Sequence, residues 1–275
     1  MKIRGSTILV TGASSGIGAA LAPQLAERGA TVGIVARRAD RLEQVLEQCR
    51  AHAPESRMWA ADLGELERAE AVALEAWDAF GHLDCLVNNA AIAKRVHTFD
   101  LTVEDVNHTM DVNFFSPVRM AMALFPRMQA RGSGLVVNVS SMGGRLGIVH
   151  EAAYCAAKFA MCGWSETARI DLAGSGIDIK LVLPGPIDTE IWEPVPGELP
   201  GLYEGPFVSA ADCAADIATA IERDGFEFYV PESVEGGFGA QKDLVVGKTQ
   251  DVDAFTDLMI AMKESSAVQA SCRST

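Results

Sequence analysis

Short apolar runs rich in β-branched residues alternate with longer helical patterns from the start of this chain to about residue 230, and few architectures accept that order. Residues 7–10, 31–36, 57–61, 83–88, 135–139, 177–183 and 226–230 read as strands. Helical patterns occupy 17–28, 40–52, 65–80, 103–131, 152–173 and 210–223. Gly29 stops the first helix, and Thr102 with Asp105 forms a capping box that opens the region 103–131, which is read as broken or bent. The strands are near-continuous apolar runs, the pattern expected when helices cover both faces of a parallel sheet. The expected fold is therefore α/β: a doubly wound parallel sheet of about seven strands flanked by helices. One domain is expected over residues 1–235. Residues 236–275 are read as a partly helical C-terminal extension, acting as a lid or an interface. The proline-rich stretch 184–206 lies between a strand and a helix, as a functional loop would.

Composition narrows the class. A formal net charge of −14 leaves no basic excess to neutralise phosphates, which argues against a nucleic-acid partner. No stretch approaches the ~20 apolar residues of a membrane helix. The apolar run behind the N-terminus, Ile8 to Val10, is too short for a signal-peptide core. Six cysteines without a CxxC pair read as reduced thiols, so a cytoplasmic location is expected. The five histidines show no metal-ligand spacing, and no metal is expected.

The first strand runs directly into Thr11-Gly12-Ala13-Ser14-Ser15-Gly16-Ile17-Gly18 and then a helix. Gly12 permits a tight turn, Gly16 lets a pyrophosphate approach the backbone, and Gly18 lets the helix pack against the strand. The helix N-terminus adds free N–H donors and a positive dipole end. Gly12, Ser14, Ser15, Gly16, Ile17 and Gly18 thus read as the phosphate cradle of a Rossmann-type nucleotide site. The second strand ends Val35-Ala36-Arg37-Arg38, without the carboxylate that usually binds the ribose 2′-hydroxyl of NAD. Arg37 and Arg38 suit a 2′-phosphate instead, so NADP(H) is expected over NAD(H). The alternative is that they pair with Asp40 or Glu43 at a solvated helix start.

Tyr154 and Lys158 stand four apart at the start of a helix, on one face. A tyrosine ordinarily titrates near ~10. A lysine ammonium beside it, or the charge of an oxidised nicotinamide, is expected to lower that value. Asn138-Val139-Ser140-Ser141 ends the fifth strand, where the ligand groups of an α/β sheet belong. With these residues in view, the chain closely resembles the single-domain branch of the short-chain dehydrogenase/reductase family over roughly its first 230 residues. The residues that carry the resemblance are 11–18, Asp62, Asn88-Asn89-Ala90, Asn113, Ser141, Tyr154, Lys158 and the run from Pro184-Gly185 to Thr189.

The resemblance implies roles. Tyr154 would be the general acid/base, and Lys158 would lower its pKa and bind the nicotinamide ribose. Ser141 would polarise the substrate oxygen; Ser140 is one residue off the family spacing. Asn113 would hold a water that links Lys158 to solvent. Asp62 and Leu63 would meet the adenine, and Asn89 and Ala90 the adenosine ribose. Ala91 stands where the family usually has glycine. After Pro184 and Gly185, Ile187 and Thr189 would anchor the carboxamide. Asn88 is read as a structural tie between the fourth strand and the glycine turn.

The expected activity is hydride transfer between NADP(H) and a small-molecule secondary alcohol or ketone. Ile191, Trp192, Leu199, Leu202, Tyr203 and Phe207 in the following loop point to an apolar substrate of moderate size, or else pack the loop down. By analogy with the family, apolar faces on helices 114–131 and 152–173 imply a homodimer or homotetramer. Two rival readings are a catalytically silent NADP(H)-binding regulatory protein and a same-fold epimerase or lyase.

Overall fold

The computed structural model describes residues 1–231 and 239–273, so the boundary expected at residue 235 lies outside the described residues. Seven parallel strands form one sheet: β1 (Thr7–Thr11), β2 (Thr31–Ala36), β3 (Arg57–Ala60), β4 (Cys85–Asn88), β5 (Gly134–Val139), β6 (Ile177–Pro184) and, after two short strands described below, β9 (Glu227–Val230). Their spatial order is β3-β2-β1-β4-β5-β6-β9, the doubly wound arrangement expected from the alternating pattern.

Strand alternation builds two cores. Ile8 and Val10 face α1 (Gly16–Glu27), α2 (Ala39–Arg50) and α7 (Ala210–Glu222), together with Val32, Ile34, Val137 and Val182. Leu9 faces the other side with Val35, Leu86, Val136 and Ile179, beneath α3 (Leu66–Phe80), α5 (Ser116–Arg131) and α6 (Ala152–Asp171). All five residues of β1 are buried, which is why no polar alternation shows in it. Each fully buried Leu or Ile there contributes about 1.5–3 kcal/mol.

The long region 103–131 is helical throughout but not a single α-helix, and the irregularity has a definite form. α4 (Val103–Met110) starts on the expected Thr102–Asp105 capping box. One π-helical turn, Asp111–Phe115, follows before α5. The loop after β6 is tied down by a feature that two-residue runs cannot signal in a sequence. β7 (Ile187–Asp188) pairs with β8 (Val208–Ser209), fixing both ends of the proline-rich stretch. Beyond the sheet, α8 (Gly239–Gln250) and α9 (Val252–Arg273) continue the chain. Lys248 of α8 donates to the Arg145 carbonyl at 2.8 Å and lies over the Phe159 ring of α6, while Lys263 of α9 reaches His97. The extension thus lies against the loop before α6 and the loop after β4. Among the described residues, no helix is long and apolar enough to cross a membrane.

Candidate active site

Strand order reverses between β1 and β4, and ligands of such sheets lie in the crevice that opens there at the carboxyl ends of the strands. A cleft of about 490 Å³ occupies this position. Segments that follow β1, β2, β3, β4, β5 and β6 all line it, so residues scattered over the chain meet because each sits just beyond a strand end.

At one end is the glycine turn. Gly12 and Gly16 have φ of +68° and +54°, where L side chains are strained. A Cβ on Gly12 would stand 2.7 Å from the Ala90 Cα, and one on Gly16 would stand 2.9 Å from the Thr189 methyl. Gly18 does not line the cleft; a Cβ there would collide with the Gly12 carbonyl, so its contribution is helix packing. The tie beneath the turn is made by Asn89 rather than by Asn88. Asn89 Nδ2 donates to the Thr11 carbonyl at 3.0 Å, and the Thr11 hydroxyl accepts from the Asn89 and Ala90 amides. Asn88 instead joins β4 to β5 by donating to Asn138 at 2.9 Å. It lies on the face of the sheet covered by α5, where it also donates to the Pro117 carbonyl at 3.3 Å, because side chains alternate along the strand and only the next residue faces the turn.

Arg38 reaches over the turn, donating to Ser15 Oγ at 2.7 Å and Ser14 Oγ at 3.2 Å. Neither arginine takes the partners of the alternative reading, Asp40 or Glu43. Arg37 lies 3.9 Å from Asp62, and Arg38 pairs with Glu190 at 2.7 Å. Asp62 also accepts from the Gly64 amide at 2.8 Å, and Leu63 beside it is buried in the cleft wall. Ala91, Pro184, Gly185, Ile187 and Thr189 complete the lining toward the other end.

That end holds Ser141, Tyr154 and Lys158. Ser141 opens a single 3-10 turn, Met142–Gly144, its hydroxyl accepting from the Gly143 amide at 3.0 Å, and it lines the cleft together with Tyr154. Both serines line the cleft, but Ser140 is buried with its hydroxyl on the Lys158 carbonyl at 3.1 Å, whereas Ser141 is only half-buried. Lys158 is buried, its Nζ donating to the Val139 carbonyl at 2.9 Å and lying 5.7 Å from the centre of the Tyr154 ring.

The expected lowering of the tyrosine is not found. Burial pushes the Tyr154 hydroxyl up, and the influence of the Ser141 hydroxyl only partly offsets it. The same burial brings the Lys158 ammonium down to about 8. Both groups therefore lean toward their neutral forms, because charge is costly in a desolvated site. Asn113 lies in the π-helical turn, buried, outside the cleft lining. Its amide is used on Ile92, accepting from the backbone N–H at 2.9 Å and donating to the carbonyl at 2.8 Å.

Two ionic clusters could not be read from the sequence. Arg41, one helical turn beyond Arg38, grips the other oxygen of Glu190. Arg95 is buried and donates to Glu151 at 2.6 Å and to the Ile191 carbonyl at 2.6 Å. Its guanidinium lies 4.8 Å from the centre of the Trp192 ring. Burial raises the Glu151 carboxyl against the pull of Arg95. Partners 56 and 96 residues apart leave no local pattern, although a lone Glu directly before the Tyr154 helix was a cue. Ile191 and Trp192 line the cleft, but Trp192, Tyr203 and Phe207 also pack their rings at 5.2–6.3 Å, so much of that loop's apolar content holds the loop together. His150 stands against His97, outside the lining.

A family model described as short chain dehydrogenase matches residues 6–199. An uncharacterized oxidoreductase of Bacillus subtilis is 37% identical over 191 residues, 68% of this chain and 54% of that protein. Hydroxysteroid 11-beta-dehydrogenase 1-like protein A of Xenopus laevis is 32% identical over 234 residues, 84% of this chain and 79% of that protein. The chain spans about half the length of the Bacillus relative. Among solved structures, a short chain dehydrogenase from Burkholderia cenocepacia in complex with NADP aligns with a TM-score of 0.77 at 28% identity, covering 94% of this chain and 99% of that one. A short-chain dehydrogenase from Sphingobium yanoikuyae in complex with NADPH gives 0.77 at 27%, covering 90% and 95%.

Proposed function

Because this chain belongs to the short-chain dehydrogenase family, we propose that it is an NADP(H)-dependent oxidoreductase interconverting a secondary alcohol and a ketone, with Tyr154 as the acid/base. The observation that carries the reading is that Ser141, Tyr154 and Lys158, scattered over two elements, line one end of a cleft whose other end is a glycine cradle, with the Lys158 Nζ 5.7 Å from the centre of the Tyr154 ring. The cradle fits a dinucleotide. Gly12 and Gly16 keep its floor bare of side chains, Ser14 and Ser15 offer hydroxyls, and Arg37, Arg38 and Arg41 gather at its outer edge. Three guanidiniums and no free carboxylate at the end of β2 favour a 2′-phosphate, and the NADP and NADPH complexes of the two structural neighbours agree with that choice. When bound, the nicotinamide supplies or accepts the hydride.

Asp62 and Leu63 would border the adenine, Asn89, Ala90 and Ala91 the adenosine ribose, and Pro184, Gly185, Ile187 and Thr189 the nicotinamide side. Ser141 Oγ orients the substrate oxygen, and Tyr154 Oη gives it a proton during reduction. Tyr154 is neutral at pH 7, as a proton donor must be. Lys158, with its pKa near 8, is ready to supply positive charge beside the phenolate left behind. Asn113 serves by holding the Ile92 backbone at the cleft edge, and a water beside it would connect Lys158 to solvent. Ile92, Met142, Ile148, Ile191 and Trp192 wall the substrate end, which suits a largely apolar ketone of moderate size.

The whole protein is read as a catalytic domain over 1–235 with an extension over 236–275. Half-exposed Phe115, Met122 and Phe159 on the π-helical turn, α5 and α6 support a homo-oligomer. Five buried free thiols among the described residues support a cytoplasmic location.

The rival is a protein that binds the nucleotide without turnover. Replacing Tyr154 with Phe separates the two. Reduction of a panel of ketones and aldehydes, followed by NADPH consumption with NADH alongside, is expected to fall at least about 10²-fold while NADPH binding is unchanged. Turnover that survives loss of the hydroxyl overturns the mechanism, and a clear preference for NADH overturns the cofactor assignment.

A further inference from the structure

We propose that Glu190 is an internal competitor for the 2′-phosphate position, so that it tunes the protein's selection between phosphorylated and unphosphorylated nucleotides. The inference rests on the NADP(H) reading above and goes beyond it, because it concerns a residue of the substrate-side loop. Glu190 Oε2 accepts from Arg38 Nη1 at 2.7 Å, and its other oxygen pairs with Arg41 Nη1. The carboxylate is thus held between two guanidiniums from the far side of the cleft mouth. Arg38 uses its remaining nitrogens on the Ser14 and Ser15 hydroxyls of the glycine turn. Arg37, the third guanidinium, leans toward Asp62 instead. A 2′-phosphate arriving here therefore meets arginines already engaged by an anion.

Two anions cannot share this pair without strong mutual repulsion, and a phosphate carries more charge and more acceptor oxygens than a carboxylate. Binding of the phosphate then requires Glu190 to leave. A nucleotide lacking the 2′-phosphate makes no such demand, so Glu190 lowers affinity only for the phosphorylated ligand. Glu190 follows Thr189, whose methyl covers Gly16, and precedes Ile191 and Trp192, which wall the substrate end. Displacing it frees the start of the loop that shapes the substrate pocket.

The test is calorimetric titration of the full chain with adenosine 2′,5′-bisphosphate and with 5′-AMP, for wild type and Glu190→Gln. The variant is expected to bind the bisphosphate at least about threefold more tightly, with 5′-AMP affinity unchanged, as for loss of a partly exposed ion pair. Equal or weaker bisphosphate binding by the variant overturns the competition. If wild type shows no preference for the bisphosphate but the variant does, the competition stands and the NADP(H) preference of the wild type falls. If neither prefers it and the variant binds it no more tightly than wild type does, both fall. Hydrogen exchange of wild-type residues 189–193 gives a second reading: it is expected to rise with the bisphosphate and not with 5′-AMP. Unchanged exchange in the presence of bound bisphosphate would mean that both anions are held together, which overturns displacement.

Discussion

At the scale of single residues, burial decides the chemistry more than proximity does. Tyr154 and Lys158 were legible in the sequence as a pair on one helix face, but their pKa directions were not. Desolvation depends on what other elements place around them. Lys158 is depressed from its ordinary 10.5 to about 8, equivalent to about 3 kcal/mol of native-state penalty. The unfolded chain holds that proton more readily between pH 8 and 10.5. The penalty is therefore full below pH 8 and fades as pH rises toward 10.5. Lys158→Met is accordingly expected to abolish turnover yet raise stability at pH 7 by about 2 kcal/mol, after allowing about 1 kcal/mol for the lost bond to the Val139 carbonyl. Urea unfolding at pH 7 and pH 10 checks both parts. The gain should shrink at the higher pH, and a variant less stable than wild type at pH 7 contradicts the account.

Among the elements, the π-helical turn Asp111–Phe115 does the most positional work. The sequence showed a capped, overlong helical region read as broken or bent, and Thr102 with Asp105 marked its start correctly. What it could not show is that the irregular turn presents Asn113 to the backbone of Ile92, 21 residues away, with both amide atoms satisfied. This bond pair fixes the segment that follows Asn89 and Ala90, so the turn supports the cleft from outside. Asn113→Ala leaves the half-buried Ile92 N–H and C=O without their protein partner, at a cost of about 1–2 kcal/mol. The expected result is a lower urea midpoint together with weaker NADPH binding. Wild-type stability in the variant would mean that solvent reaches Ile92 and the turn is not a support.

Over the whole molecule, Arg95 and Glu151 form a junction. The pair joins the loop after β4, the residue that opens α6 and the loop after β6, where Arg95 holds the Ile191 carbonyl and stacks on Trp192. Removing one partner strands the other charge in a buried site, so Arg95→Met alone is expected to cost about 3–5 kcal/mol. Adding Glu151→Met should restore most of that stability, because an apolar pair of similar volume is tolerated where an unpaired charge is not. The double variant is nevertheless expected to show a raised KM for ketone at saturating NADPH, since Ile191 and Trp192 lose their anchor. Urea melts and steady-state kinetics on the three proteins test the junction; a single variant as stable as the double would remove the argument.

The sequence by itself determined the sheet, its winding and the chemistry offered at its edge. Those depend on local signals: unbroken apolar strands, glycines between a strand and a helix, and a tyrosine and lysine one helical turn apart. Only the tertiary structure decided which asparagine ties the glycine turn, which carboxylate holds Arg38 and Arg41, and which way Tyr154 and Lys158 titrate. Each of these is set by partners distant along the chain and by the loss of water around them, and neither quantity is written in any short stretch of residues.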